Sequence, residues 1–411
     1  MTTTTAAAAT TKAPQATLTA VLCFAVALLE GYDLQVISSA GPYLVKLLQL
    51  RPQQMGWLFS ASLIGLAAGA IGGGWLADRY GRKPALIGSV LVLGAFTLAT
   101  AYANSFESLM VIRILAGVGL GGAMPTLIAL VAEVSGGHKT TSAVTTMICG
   151  QPLGGIVSAL VGQTIAAKYG WQSLFVVGGA LTVLVVPLLM LGLPETKPAT
   201  AGARSARMPT LQALFGEGRA PASLLLWAVF ILTLALLSVL LSWTPLLVMG
   251  KGLPKPVGLN AIIAINVGGI VGGLVISRLI DRWGVRWPML SLYVITGVSL
   301  YLFARVQSET MLLLVAGFVG LGVLGAQFSL YGIAPRLYPL AGRGSGVGVA
   351  VAMGRIGSIL GPVVIGGLIS RGSTESETVM VMAPVGLTAG VALVLLTLAA
   401  RQALAAGARA H

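Results

Sequence analysis

Two carboxylates, Glu30 and Asp33, interrupt the first long apolar run of the chain, Ala25-Val-Ala-Leu-Leu-Glu-Gly-Tyr-Asp-Leu-Gln-Val-Ile37. Three residues apart on a helix, they share one face. An ionisable group at bilayer depth costs at least about 2.5 kcal/mol, so such groups persist mainly where they bind or move charge. Paired acids in those surroundings can exchange protons as one coupled system. Asp33 is the expected proton carrier, with Glu30 tuning it or pairing with an arginine. The alternative is a buried acid held ionised by Arg113 and serving only helix packing. The two histidines, His138 in a loop and His411 at the last position, leave proton chemistry at membrane depth to the carboxylates.

Arg113 and Arg355 lie inside other apolar runs. A guanidinium holds a carboxylate through two parallel hydrogen bonds, so one arginine is expected to receive an organic anion while the other pairs with an acid. The alternative makes both structural partners. An apolar pocket wall with a few polar groups is offered by Gln327, Phe328 and Tyr331, by Tyr32 beside the acids, by Trp243, and by Gln151 in Gly150-Gln-Pro-Leu-Gly-Gly155. For the aromatics, ordinary packing competes with ligand contact; Gln327 and Gln151, polar at membrane depth, need partners.

These side chains must be positioned by membrane helices. The 411 residues are 56% apolar and 9% charged, with a mean hydropathy of +0.93. A helix spans the hydrocarbon core with about twenty residues, and twelve such stretches occur: 16–44, 54–77, 84–103, 106–133, 138–167, 171–192, 222–249, 256–280, 287–305, 309–335, 344–370 and 378–402. Lys and Arg concentrate on cytoplasmic loops. With both termini inside, sixteen fall on that side, seven outside, and Arg113 and Arg355 within spans. The +14 net charge is thus mostly a topology signal; dispersed over short loops, it gives no nucleic-acid surface. Cys23 and Cys149 fall within spans and are expected to be free thiols. No nucleophile, base and orienting group converge, and the glycine strings follow no strand and lack the Gly-Lys-Ser/Thr of a nucleotide loop. The chain is therefore expected to have no enzymatic activity and no cofactor, an ion gradient supplying the energy.

The chain repeats itself at an offset of 203 residues. Asp78-Arg79-Tyr80-Gly81 returns as Asp281-Arg282-Trp283-Gly284, and Gly117-Val-Gly-Leu-Gly-Gly-Ala123 as Gly320-Leu-Gly-Val-Leu-Gly-Ala326. The expected fold is an all-α integral membrane protein, with twelve transmembrane helices in two pseudo-symmetric six-helix halves and a site near the midplane between them. The expected boundaries are a disordered tail over 1–15, a half over 16–193, a cytoplasmic linker over 194–221, a half over 222–403, and a tail over 404–411.

Gly74-Trp-Leu-Ala-Asp-Arg-Tyr-Gly-Arg-Lys83, between spans two and three, resembles the loop motif of the major facilitator superfamily. Gly74, Asp78, Arg79, Gly81, Arg82 and Lys83 are expected to gate, with Glu133, Asp281, Arg282 and Arg343 as partners. A narrower resemblance is to the aromatic acid/proton symporter family. It rests on Glu30-Gly-Tyr-Asp33, Arg113-Ile-Leu-Ala-Gly-Val-Gly-Leu-Gly-Gly-Ala-Met-Pro125, Gln327-Phe-Ser-Leu-Tyr331, Gly342-Arg-Gly-Ser-Gly-Val-Gly348 and Gly354-Arg-Ile-Gly-Ser-Ile-Leu-Gly-Pro362. The family usually has Asp at the start of the first motif and Phe in place of Tyr32. The resemblance implies import of a small aromatic carboxylate, 4-hydroxybenzoate or protocatechuate-like, with protons across a bacterial inner membrane, a monomer being sufficient. A proton-antiporting exporter is the alternative, and a non-transporting sensor a third reading.

Overall fold

Without water to receive backbone hydrogen bonds, a chain crosses lipid as helices that satisfy their own. The computed structural model describes residues 13–135, 140–194, 209–339 and 342–409, without the side chains of 13–14, Asp78, 140–142 and 400–409. It contains α1 (Ala13–Leu48), α2 (Pro52–Tyr80), α3 (Arg82–Thr100), α4 (Phe106–Ser135), α5 (Thr140–Ile148), α6 (Gly150–Tyr169) and α7 (Gln172–Gly192). After a short α8 (Thr210–Phe215) come α9 (Ala220–Gly250), α10 (Lys255–Trp283), α11 (Arg286–Arg305), α12 (Glu309–Leu337), α13 (Arg343–Ser370) and α14 (Glu375–Arg409). Twelve of these helices are long and apolar enough to cross a membrane. The fifth span is broken between α5 and α6 at Cys149, where Pro152 offers no N–H and its ring crowds the carbonyl of Ile148. Both cysteines are free thiols.

Several boundaries differ from expectation. Helix α1 starts at Ala13, and α14 runs to Arg409 through an alanine-rich stretch of high helix propensity where a tail was expected. The stretch read as a linker holds α8, fastened to α9 because Ser223 Oγ donates to Leu214 O at 2.7 Å. Residues 1–12 and 195–208 lie outside the described residues.

The repeat is built from close helix crossings at glycines, as small residues allow in membranes. A Cβ on Gly65, Gly69, Gly117 or Gly154 would overlap the carbonyl oxygen of Ile114, Val118, Ser62 or Leu28. Their counterparts Gly268, Gly272, Gly320 and Gly357 meet Gly317, Leu321, Ile265 and Ile231, each shifted by the same 203 positions. The turns repeat as well: Gly81 at φ 97° and Gly284 at φ 76° end α2 and α10 in the left-handed region that glycine tolerates.

An even number of crossings puts the start of α1 and the end of α14 on one face, here the terminal face; the other is the distal face. The halves are joined toward the distal face. Ser38 Oγ donates to Ser242 O at 2.9 Å, Ser60 Oγ to Ile359 O at 2.6 Å, and Gln163 Nε2 to Asn260 Oδ1 at 2.9 Å. Toward the terminal face, Gly72 and Gly74 of α2 and Gly344 and Gly348 of α13 have no heavy atom near where a Cβ would stand. Ile71, nearby on α2, is 80% exposed.

Candidate functional site

Glu30 and Asp33 sit midway along α1, both buried, yet they have separate neighbours. The Asp33 carboxylate is gripped by Arg113 of α4 through two bonds, Nη1 to Oδ1 at 2.9 Å and Nη2 to Oδ2 at 2.7 Å. Nη2 also reaches the Asp33 carbonyl at 3.0 Å, and Nε donates to Ser62 Oγ of α2 at 3.0 Å. Thr97 of α3 donates to Asp33 Oδ1 at 2.6 Å. Four helices thus converge on one ion pair whose arginine is 0% exposed and whose carboxylate is 3% exposed. A buried pair is tolerated when it is bidentate and its remaining donors and acceptors are engaged, which is the arrangement here. Ser62 and Thr97 were not singled out from sequence; their signal is a hydroxyl at membrane depth on the two helices flanking the ion pair.

Glu30 turns toward α6. Gly31 brings α1 into backbone contact with Gln151, since any Cβ at 31 would overlap the Gln151 carbonyl. Gln151 Nε2 donates to Glu30 Oε2 at a long 3.4 Å, while the buried Oε1 has no hydrogen-bond partner. Arg355 of α13, from the other half, lies near enough for its charge to act on Glu30. Arg355 makes no ion pair among the described residues. One acid of the sequence pair is fully engaged by protein, and the other is short of a hydrogen-bond donor and within electrostatic reach of a cation.

The expected wall residues divide similarly. Gln327 and Tyr331 are half-buried, and Tyr331 meets Phe230 edge-on at 5.8 Å. Tyr32, expected to touch a ligand, is used for packing: its hydroxyl donates to Leu174 O at 2.7 Å and its ring fills the space over Gly178 of α7. Phe328 likewise packs on Gly273 of α10, inside the second half. Trp243 belongs to the distal seam, donating from Nε1 to Pro362 O at 3.1 Å and meeting Phe59 edge-on at 5.2 Å. Sequence reasoning missed Gln35 and Asn266, buried polar residues that bridge α1 and α10 with reciprocal amide bonds of 3.2 and 2.8 Å. The polarity-at-depth criterion that selected Gln327 applies to them equally.

At the terminal face, Arg82 pairs with Glu133, and Lys83 Nζ donates to Leu193 O at 2.9 Å. Arg79 lies over the Trp75 and Tyr80 rings at 5.2 and 5.5 Å. Asp281 approaches Arg336 at 3.8 Å instead of an acid or base of the first half. Arg282 and Arg343 are exposed, and Gly74 faces open space. The Asp78 side chain lies outside the described residues. The described ion pairs at this face therefore close within a half: Glu133 partners the loop motif through Arg82 as expected, while Arg343 forms no ion pair with that motif among the described residues.

Comparison with known proteins agrees with this architecture. The model of the Major Facilitator Superfamily matches residues 23–274 and 258–410. The chain is similar to the 3-(3-hydroxy-phenyl)propionate transporter of Escherichia coli K12, 42% identical over 92% of this chain and 93% of that protein. The 4-hydroxybenzoate transporter PcaK of Pseudomonas putida is 31% identical over 83% of each chain. Among solved structures, a D-xylose-proton symporter shares the fold, with a TM-score of 0.76 at 19% identity over 91% of this chain and 96% of that one. The chain belongs to the Major Facilitator Superfamily, a multi-pass membrane transporter rather than an enzyme.

Proposed function

We propose that the protein imports a small hydroxylated aromatic carboxylate together with protons by alternating access. The names of the relatives support the substrate class. The greater identity to the arylpropionate transporter supports an acid with a short side chain over a bare benzoate. The sixteen basic residues on the terminal side support a cytoplasmic terminal face in a bacterial inner membrane.

The observation that carries the reading is an under-bonded Glu30 within electrostatic reach of Arg355, which itself makes no ion pair among the described residues. Arg355 has one carboxylate partner at a time. With Glu30 ionised, Arg355 balances its charge; with a proton on Oε1, Arg355 is free to take the substrate carboxylate. Anion and proton then travel as a neutral set. Asp33, the first choice from sequence, becomes the structural acid, because Arg113, Ser62 and Thr97 already use its oxygens.

The test is uptake of labelled 3-(3-hydroxyphenyl)propionate and 4-hydroxybenzoate into proteoliposomes with an acidic exterior. One proton per substrate and one pH unit support about tenfold accumulation. Glu30→Gln is expected to equilibrate substrate without accumulating it, and Arg355→Gln to lose substrate binding. Failure of the wild type to accumulate any aromatic acid overturns the import reading, and gradient-driven accumulation by Glu30→Gln overturns the coupling role.

A further inference from the structure

The terminal end of the second half contains a cavity of about 400 Å³ between α10, α11, α12 and α14. Its walls include Trp283, Arg286, Trp287 and Arg336, and its floor the buried Leu393 and Leu396. The repeat shows what is unusual about it. Arg286 stands where the first half has Lys83, Arg336 where it has Glu133, and Leu396 where it has Leu193. In the first half the lysine is satisfied by the Leu193 carbonyl and the acid neutralises Arg82. In the second half the acid has been replaced by a second cation. Arg286 Nε is buried without a hydrogen-bond partner, and Arg336 has only the loose, exposed contact with Asp281 at 3.8 Å.

We propose that this cavity binds the headgroup of an anionic phospholipid. The phosphodiester sits between Arg286 and Arg336, at the N-terminus of α11, where free backbone N–H groups also favour an anion. Basic pockets between membrane helices on the cytoplasmic side suit acidic lipids. Trp283 and Trp287, 64% and 63% exposed, are the amphipathic rings that settle at headgroup level. Leu393 and Leu396 give the first acyl carbons an apolar floor. A free phosphate would use the two arginines and leave the tryptophans and leucines without a role.

The test is native mass spectrometry of the full chain in detergent, titrated with phosphatidylglycerol, with phosphatidylcholine, and with inorganic phosphate as a competitor. Phosphatidylglycerol is expected to be retained at least about tenfold more tightly than phosphatidylcholine, reflecting charge-assisted contacts. Arg336→Glu, which restores the acid of the first half, and Arg286→Gln are each expected to remove that preference; Arg371→Gln, at the distal face, keeps it. Melting curves accompany each variant, so that a misfolded protein is replaced by the other arginine variant. Equal retention of the two lipids, an undiminished preference in both folded arginine variants, or displacement of the lipid by millimolar phosphate would overturn the proposal.

Discussion

Position 33 in the first half and position 236 in the second occupy the same place in the repeat, yet one is aspartate and the other leucine. The substitution is not isolated. Arg113, Ser62 and Thr97, the partners of Asp33, correspond to Ala316, Ile265 and Leu300, all buried. Around both sets the glycine crossings are the same. Helix packing is thus carried by the backbone contacts, and the centre of each half can be polar or apolar without changing the fold. The first half holds a charged hub that ties four helices together, and the second fills the same volume with hydrocarbon.

The sharpest way to break this comparison is to make the first half resemble the second. Arg113→Ala alone strands a buried carboxylate and is expected to cost about 3–5 kcal/mol. Asp33→Leu alone strands the guanidinium to similar effect. The double variant Asp33→Leu/Arg113→Ala, which copies Leu236 and Ala316, is expected to recover most of that loss, since well-packed apolar residues replace buried ion pairs at little cost. Melting of the purified proteins in detergent reads all three. A double variant no more stable than either single one would mean that the hub does more than hold helices.

A second comparison concerns the crossing of the first and fifth spans of each half. Gly31 makes room for the backbone at Gln151; at the same crossing in the second half, Leu234 lies against Gly354. The large and small partners have exchanged helices. Gly31→Leu is expected to cost about 1–3 kcal/mol by overpacking. Adding Gln151→Gly copies the residue types of the second half but leaves the obstructing carbonyl of residue 151 in place, so it is expected to restore little of the melting while removing the side-chain hydrogen bond to Glu30. Full recovery of stability would mean that the backbone of α6 yields and that the two crossings are interchangeable.

The repeat was legible because glycines and the Asp-Arg turns recur at a fixed offset, and close crossings demand those residue types wherever they fall. The shared face of Glu30 and Asp33 was legible too, from helical spacing alone. Their separation was not. The spacing places both on one side of α1 but cannot say that Asp33 meets α4 and Glu30 meets α6, because those partners lie 80 and 121 residues away. Tyr32 was misjudged for the same reason: nothing near it in sequence announces that Gly178 leaves a ring-sized gap on α7.

The mildest test lies at the terminal face, where the halves differ by charge. Arg82 and Glu133 are 30% and 43% exposed, so their pair has water as a competitor and is worth about 0–1 kcal/mol. Glu133→Gln is accordingly expected to shift melting only slightly, with the shift shrinking as salt screens the pair. Both partners belong to the first half, so the pair shapes one terminal face and does not bridge two. Because Arg336 already occupies the matching position in the second half, the fold tolerates a cation there. A loss from Glu133→Gln as large as that from Arg113→Ala would place the stabilising charge of the first half at its face as much as at its centre, and the contrast between an essential hub and a dispensable rim would fall.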